Sequence, residues 1–188
     1  MTTFVALLRA VNVGGRGTLP MARLRDVAAG LDFEAPQTLL QSGNLVFRAR
    51  ASTRPGAVER MLETALASRL DLHADVCVRT AAEWGRIVER NPFPDEAESD
   101  PGHLLVMALK RPAGAVEVEA LRASIAGREL VRADGAQLYL FYPDGVGRSR
   151  LTAAAIEGAV GTRGTARNWN TVLKVNALCA TFAGGRSR

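Results

Sequence analysis

The chain has 188 residues, 47% of them hydrophobic and 23% charged, a balance that excludes a disordered chain and leaves room for one large domain or two small ones. No stretch approaches the roughly 18 apolar residues that a membrane span needs. The formal charge of +5 favours anionic partners through its long-range field. Yet all of the basic side chains except Lys110 and Lys174 are arginines, and they are scattered, with only Gly185–Arg188 forming a basic tail.

The first element is the apolar run Phe4–Leu8, read as a strand, which passes straight into RAVNVGGRG at Arg9–Gly17. Pro20 suits a first helical turn, and Met21, Leu24, Val27, Ala28 and Leu31 follow at helical spacing, with Gly30 near the stop. Two short strands are predicted at Thr38–Gln41 and Leu45–Arg48, joined by a tight turn at Ser42 and Gly43. A second helix starts near Pro55 and carries Val58, Met61, Leu62, Ala65 and Leu66 on one stripe. Asp75–Arg79 alternates as a half-buried strand should. The order βαββαβ is that of a ferredoxin-like plait. Thr80 and Glu83 are then spaced as a capping box for a further helix, which places Trp84, Ile87 and Val88 on one face.

The same order begins again after the acidic stretch Asp95–Asp100, which reads as an exposed connection. His103–Leu109 is a strand and Val116–Ile125 a helix. Glu129–Ala133 and Gln137–Tyr142 form a hairpin around Asp134 and Gly135. Arg150–Val160 is a helix, Thr165–Arg167 a short strand and Trp169–Phe182 a closing helix. The expected fold is therefore α+β: two ferredoxin-like βαββαβ units with antiparallel sheets, each followed by an extra helix. The expected boundaries are 1–94 for the first unit, 95–102 for the connection and 103–188 for the second unit. The repeat is one of topology, since the halves share no residue-level identity.

In this arrangement strands one and two of a unit run parallel with strand three antiparallel between them, so the loop after strand one and the hairpin between strands two and three share one end of the sheet. RAVNVGG and QSGN thus become neighbours, with Asn44 within reach of Arg9 or Asn12. Gly14, Gly15 and Gly17 allow close approach of backbone to a ligand, the start of the following helix attracts anions, and Arg9 can pair a carboxylate or phosphate bidentately. The pattern lacks the Lys-Ser/Thr of a phosphate-binding P-loop and the downstream acid of a dinucleotide fingerprint. The same residues also read as a plain turn capped by Asn12, and Gln41, Ser42, Gly43 and Asn44 as a hairpin turn that satisfies its own backbone. Near the end of the chain, Arg167, Asn168 and Asn170 flank Trp169. One asparagine is accounted for by capping the closing helix more easily than two, and Arg167 reads as functional.

Catalytic equipment is thin. His73 and His103 are remote in sequence from the glycine loop, and no nucleophile elbow, zinc-binding pair or carboxylate dyad occurs. Whether the chain is an enzyme is left open, and neither a metal nor a cofactor is expected. Cys77 and Cys179 lie on core-like segments without redox or metal spacing, and read as small buried hydrophobes. MTTFVALLR has no basic leader and too short an apolar stretch for a signal sequence, so a cytoplasmic protein is expected.

Three segments together, LLRAVNVGG, QSGNLVF and RNWNTVLKV, resemble the bacterial family known as domain of unknown function 1697. The resemblance implies a compact α+β fold with ferredoxin-like halves and no established activity. The matching positions are Arg9, Asn12, Gly14, Gly15, Gln41, Ser42, Gly43, Asn44, Arg167, Asn168, Trp169 and Asn170. The chain departs from the family pattern at Ala10, where Gly is usual, and at Arg16, where Lys is frequent.

Three functions compete. The first is a binding protein for a small anionic or polar ligand, seated between the RAVNVGG loop and the QSGN turn, with Arg167, Asn168 and Asn170 as further candidates. The second is RNA or single-stranded nucleic-acid binding on a ferredoxin-like sheet, where Phe4 and Phe47 on the central strands would stack on bases. The third is a structural or protein-interaction role. A small anionic ligand is the favoured partner, nucleic acid the less favoured one, no membrane is expected, and the chain reads as a monomer or weak homodimer.

Overall fold

A computed structural model describes residues 1–12 and 18–183. Two compact units are formed, one by residues 1–89 with 173–188 and the other by residues 90–172.

The first unit contains β1 (Thr2–Leu8), α1 (Met21–Ala29), β2 (Glu34–Leu39), β3 (Asn44–Ala49), α2 (Pro55–Leu70), β4 (Val76–Thr80) and α3 (Ala81–Glu89). Its sheet has the order β2-β3-β1-β4 with every neighbouring pair antiparallel, the ferredoxin-like arrangement expected. Phe4, Ala6 and Leu8 of β1 alternate onto one face, where they join Leu45 and Phe47 of β3 and the stripes Leu24, Val27, Ala28 of α1 and Val58, Leu62, Leu66 of α2. The opposite face is also closed. Val5, Leu7 and Val46 are buried, as are Trp84 and Ile87 of α3, which packs against β1 and β4.

The second unit contains α4 (Pro94–Ser99), β5 (Leu104–Leu109), α5 (Ala115–Ala123), β6 (Leu130–Asp134), β7 (Gln137–Phe141), a 3-10 turn at Val146–Arg148, α6 (Ala153–Val160) and β8 (Gly164–Asn168). Its sheet order is β6-β7-β5-β8, again antiparallel throughout. The closing helix α7 (Trp169–Ala183) starts in this unit, and from Leu173 onward its residues belong to the first.

The repeat extends to individual hydrogen bonds. Leu8 N–H donates to Gly43 O at 2.9 Å and Leu109 N–H to Ala136 O at 2.8 Å; Arg9 N–H donates to Asp75 O and Lys110 N–H to Arg163 O, both at 2.8 Å. The outer strands are finished alike. Val76 and Val78 N–H groups of β4 donate to Glu63 and Glu59 of α2, each at 2.9 Å, and Gly164 N–H of β8 donates to Glu157 of α6 at 3.0 Å. These carboxylates occupy N–H groups that an edge strand would otherwise offer to another chain.

The differences from the sequence reading have local causes. β2 starts at Glu34, not Thr38, and runs through Pro36 with an irregular register between Glu34 and Gln37. Pro cannot donate to a ladder, but β2 is an edge strand and tolerates one. The stretch read as a bare connection is helical at α4, started by Pro94 at its first turn and favoured by Asp95 and Glu96 beside the positive end of the helix dipole. α6 begins at Ala153 instead of Arg150 because Thr152 Oγ1 caps it, accepting from Ala155 N–H at 3.2 Å. The capping box before α3 forms as expected: Thr80 N–H donates to Glu83 Oε2 at 2.7 Å and Glu83 N–H to Thr80 Oγ1 at 3.1 Å.

Candidate functional site

The first two motifs meet at one end of the first sheet. Leu7 pairs with Asn44, and the Leu8–Gly43 hydrogen bond continues the ladder into the hairpin turn. Beyond it, Asn12 Nδ2 donates to Gln41 O at 2.6 Å and to Leu19 O at 3.0 Å, while Asn12 Oδ1 accepts from Leu19 N–H at 2.7 Å. Asn12 therefore ties the strand exit, the hairpin and the approach to α1 into one corner. Asn44, fully buried, donates from Nδ2 to Leu39 O at 2.9 Å and to Ser42 Oγ at 3.0 Å, bracing the hairpin from inside. Gly43 has φ of +74°, and a Cβ there would stand 2.5 Å from a Val11 methyl and 2.9 Å from Leu8 Cβ, so a side chain is excluded by both conformation and space.

Arg9 leaves β1 at this end, its N–H bonded to Asp75 O just before β4, and its side chain is half-buried. Gln41 is exposed. Ala10 and Asn12 both have left-handed backbones, with φ of +56° and +57°. Gly adopts such a φ without steric cost, so Ala10 carries a strain that Gly would not. Gly14, Gly15, Arg16 and Gly17 lie outside the described residues.

A cavity of about 770 Å³ opens beside this corner. Thr18, Leu19, Pro20 and Arg23 line it from the start of α1, and Arg69, Asp71 and Leu72 from the end of α2. Pro20 supplies no side-chain cap and no acidic residue stands in the first turn of α1, so the positive end of the helix is not neutralised from within its own sequence. Arg69 is held in place by donating to Gly30 O at 3.0 Å.

The third motif belongs to the second unit. Arg167, only 8% exposed, donates from Nη1 to Thr165 Oγ1 and to Ala166 O, both at 2.8 Å. Arg79 in β4 makes the corresponding bond to Val78 O, also at 2.8 Å, which marks this arginine position as a brace of the outer strand in both units. Asn168 Oδ1 caps α7 by accepting from Thr171 N–H at 3.0 Å, as Thr80 caps α3. Asn170 is exposed on the first turn of α7. The two tryptophans do not correspond: Trp84 stands four residues after its cap, the place held by Val172 in the second unit.

The aromatics that a base-stacking sheet would display are inside the protein. Phe4 and Phe47 are fully buried toward α1 and α2, with ring centroids 5.9 Å apart, and Phe33 stacks on Phe47 at 4.3 Å. Tyr139 and Tyr142 are buried as well.

Two pairings in the second unit gave no sequence signal. His103 Nδ1 lies 2.7 Å from Asp100 Oδ2, joining the residue after α4 to the one before β5. The Ser149 hydroxyl donates to Glu129 Oε1 from a segment twenty residues away. Neither spacing matches a motif, and only the fold brings Glu129 and Ser149 together. Among the described residues no group of three or more His, Cys, Asp or Glu is arranged to hold a metal ion, and no helix is long and apolar enough to cross a membrane.

The sequence matches the family described as protein of unknown function (DUF1697) over residues 1–139. The chain belongs to that family. The match contains the first two motifs and ends before the third. Among curated proteins none matches the chain. Among solved structures, this chain is similar to the conserved bacterial protein SP0830 from Streptococcus pneumoniae, with a TM-score of 0.74 and 18% identity over 95% of this chain and 98% of that one. At that identity the likeness is one of fold, two ferredoxin-like units carried through nearly the whole chain.

Proposed function

We propose that the first unit is a binding module for a small anionic or polar ligand, seated where the RAVN and QSGN segments meet the start of α1. The observation that carries the reading is the 770 Å³ cavity beside that corner, lined by Arg23 and Arg69 at a helix start without an acidic cap. Its volume lies in the range of small-molecule sites. Asn12 and Asn44 serve here as fixtures: their hydrogen bonds hold the corner rigid, so that Arg9 and the helix start are presented without an ordering cost on binding. Arg9, Gln41 and Ser42 are not among the residues that line the cavity; the corner they belong to joins it through the hydrogen bonds of Asn12 to Leu19. We place the protein in the bacterial cytoplasm, which two buried free thiols support, and read it as a monomer or weak homodimer.

A thermal-shift series with inorganic phosphate, nucleoside monophosphates, phosphosugars and dicarboxylates tests the site. At least one anion is expected to raise the melting temperature of the wild type through binding to the native state. The rise should shrink in Arg9→Ala and Arg23→Ala. If no anion stabilises the wild type more than these variants, the proposal fails.

A further inference from the structure

The second unit holds a separate cavity of about 560 Å³ that none of the three motifs touches. Its walls come from the segment between α5 and β6, the turn after β7, and the residues leading into α6. The Tyr142 hydroxyl donates to Leu151 O at 3.0 Å and fixes that last segment against the end of β7, while Gly145, with φ of +84°, turns the chain where it lines the cavity. This volume also falls within the small-molecule range.

Three kinds of surface line it. Glu129 presents a carboxylate whose Oε1 accepts from the Ser149 hydroxyl, while its Oε2 is closed off from water and, among the described residues, has no hydrogen-bond donor. Gly127 stands beside it, and a Cβ at that position would push the Glu129 carboxylate aside. A buried charged oxygen without a donor is costly; because Oε2 is closed off, a ligand donor meets it only once the Glu129 side chain turns toward the cavity, and the contact then supplies the donor that Oε2 lacks. Arg148 and Arg150 supply positive charge. Asp144 forms a hydrogen-bonded ion pair with Arg128, and that bond, with the charges of Arg128 and Arg148 nearby, holds its carboxyl below the usual range. Among the described residues the Arg150 guanidinium has neither ion pair nor hydrogen bond. Ile125, Leu151 and Ala155 complete the lining with apolar surface.

We propose that this cavity binds a small zwitterion with an apolar substituent, laid out as in an aliphatic amino acid. The ammonium donates to the Glu129 carboxylate, the carboxylate pairs with Arg150 in the field of Arg148, and the substituent lies against Ile125, Leu151 and Ala155. This site is independent of the one in the first unit.

Isothermal titration calorimetry of the full chain with L-leucine, N-acetyl-L-leucine and L-leucinamide tests it. Leucine binds the wild type; masking the ammonium weakens binding roughly tenfold or more, because the buried Glu129 oxygen is then left without its donor, and masking the carboxylate weakens it less, because Arg150 is exposed. Arg150→Ala weakens leucine and leaves leucinamide unchanged; Glu129→Gln weakens leucine and leaves N-acetyl-leucine unchanged. Arg150 is exposed, so its variant keeps the fold, and the three compounds on the wild type decide the matter even where Glu129→Gln does not fold. The absence of binding by leucine and isoleucine up to about 10 mM, equal affinity for all three compounds, or a leucine affinity untouched by Arg150→Ala overturns the proposal. Arg23→Ala leaves leucine binding intact; its loss there would assign the amino acid to the first unit and overturn the proposal too.

Discussion

Ala10 and Asn12 stand where β1 stops, both in the left-handed region of backbone space. Asn12 offsets its strain with three hydrogen bonds from one side chain, whereas Ala10 has only a methyl group to offer and is exposed. Ala10→Gly is therefore expected to stabilise the protein by about 0.5–1 kcal/mol, the relief of the left-handed conformation exceeding the added freedom of the unfolded chain. Equilibrium urea unfolding would show it as a higher midpoint with unchanged slope. The residue types at this corner were legible in the sequence: Asn12, Ser42, Gly43 and Asn44 each have a local reading as cap or turn, and the hydrogen bonds agree with it. What could not be read was how far each bond reaches, because Asn12 spans to Gln41 across the hairpin and that span depends on how β1 and β3 pair.

Helices of this fold do more than cover the sheets. Glu59 and Glu63 stand one turn apart on α2 and reach two alternate N–H groups of β4, matching the helical rise to the two-residue period of the strand. Glu59 is 8% exposed, so removing it strips a buried N–H of its acceptor. Glu59→Ala is expected to cost about 1–3 kcal/mol, and Glu59→Gln less, since an amide oxygen still accepts. The double variant Glu59→Ala/Glu63→Ala should in addition self-associate with rising concentration on size-exclusion chromatography, because it leaves the outer edge of β4 open. Unchanged stability in Glu59→Ala would remove this role from the carboxylate. The stripe of α2 was legible from its periodicity. The purpose of its glutamates was not, since on a helical wheel they resemble any solvated charge.

Across the whole molecule, both tyrosines of the chain, Tyr139 and Tyr142, lie in the second unit and are buried. Burial chiefly, helped by Asp134 near Tyr139 and Glu129 near Tyr142, pushes each phenol up to about 12 from an ordinary 10.0. The unfolded chain ionises first, so the stability they confer is complete below pH about 10 and is lost as the pH climbs toward 12. Ultraviolet absorbance should show no phenolate step near pH 10 in the native protein, with tyrosinate appearing only as far-ultraviolet circular dichroism is lost; an ordinary step at 10 with the fold intact would contradict that burial. The alternation of strands and helices, the ferredoxin-like order of each half and the meeting of RAVN with QSGN were all legible along the chain, because periodicity, caps and turn residues are local and the plait brings that loop and that hairpin to one end of the sheet. That Phe4 and Phe47 face helices rather than solvent, that glutamates close the edges of β4 and β8, and that Glu129 and Ser149 share a cavity emerged from the packed chain alone. A strand pattern reports that a face is apolar without saying what lies on it, and residues distant along the chain acquire a common environment only once the sheets have formed.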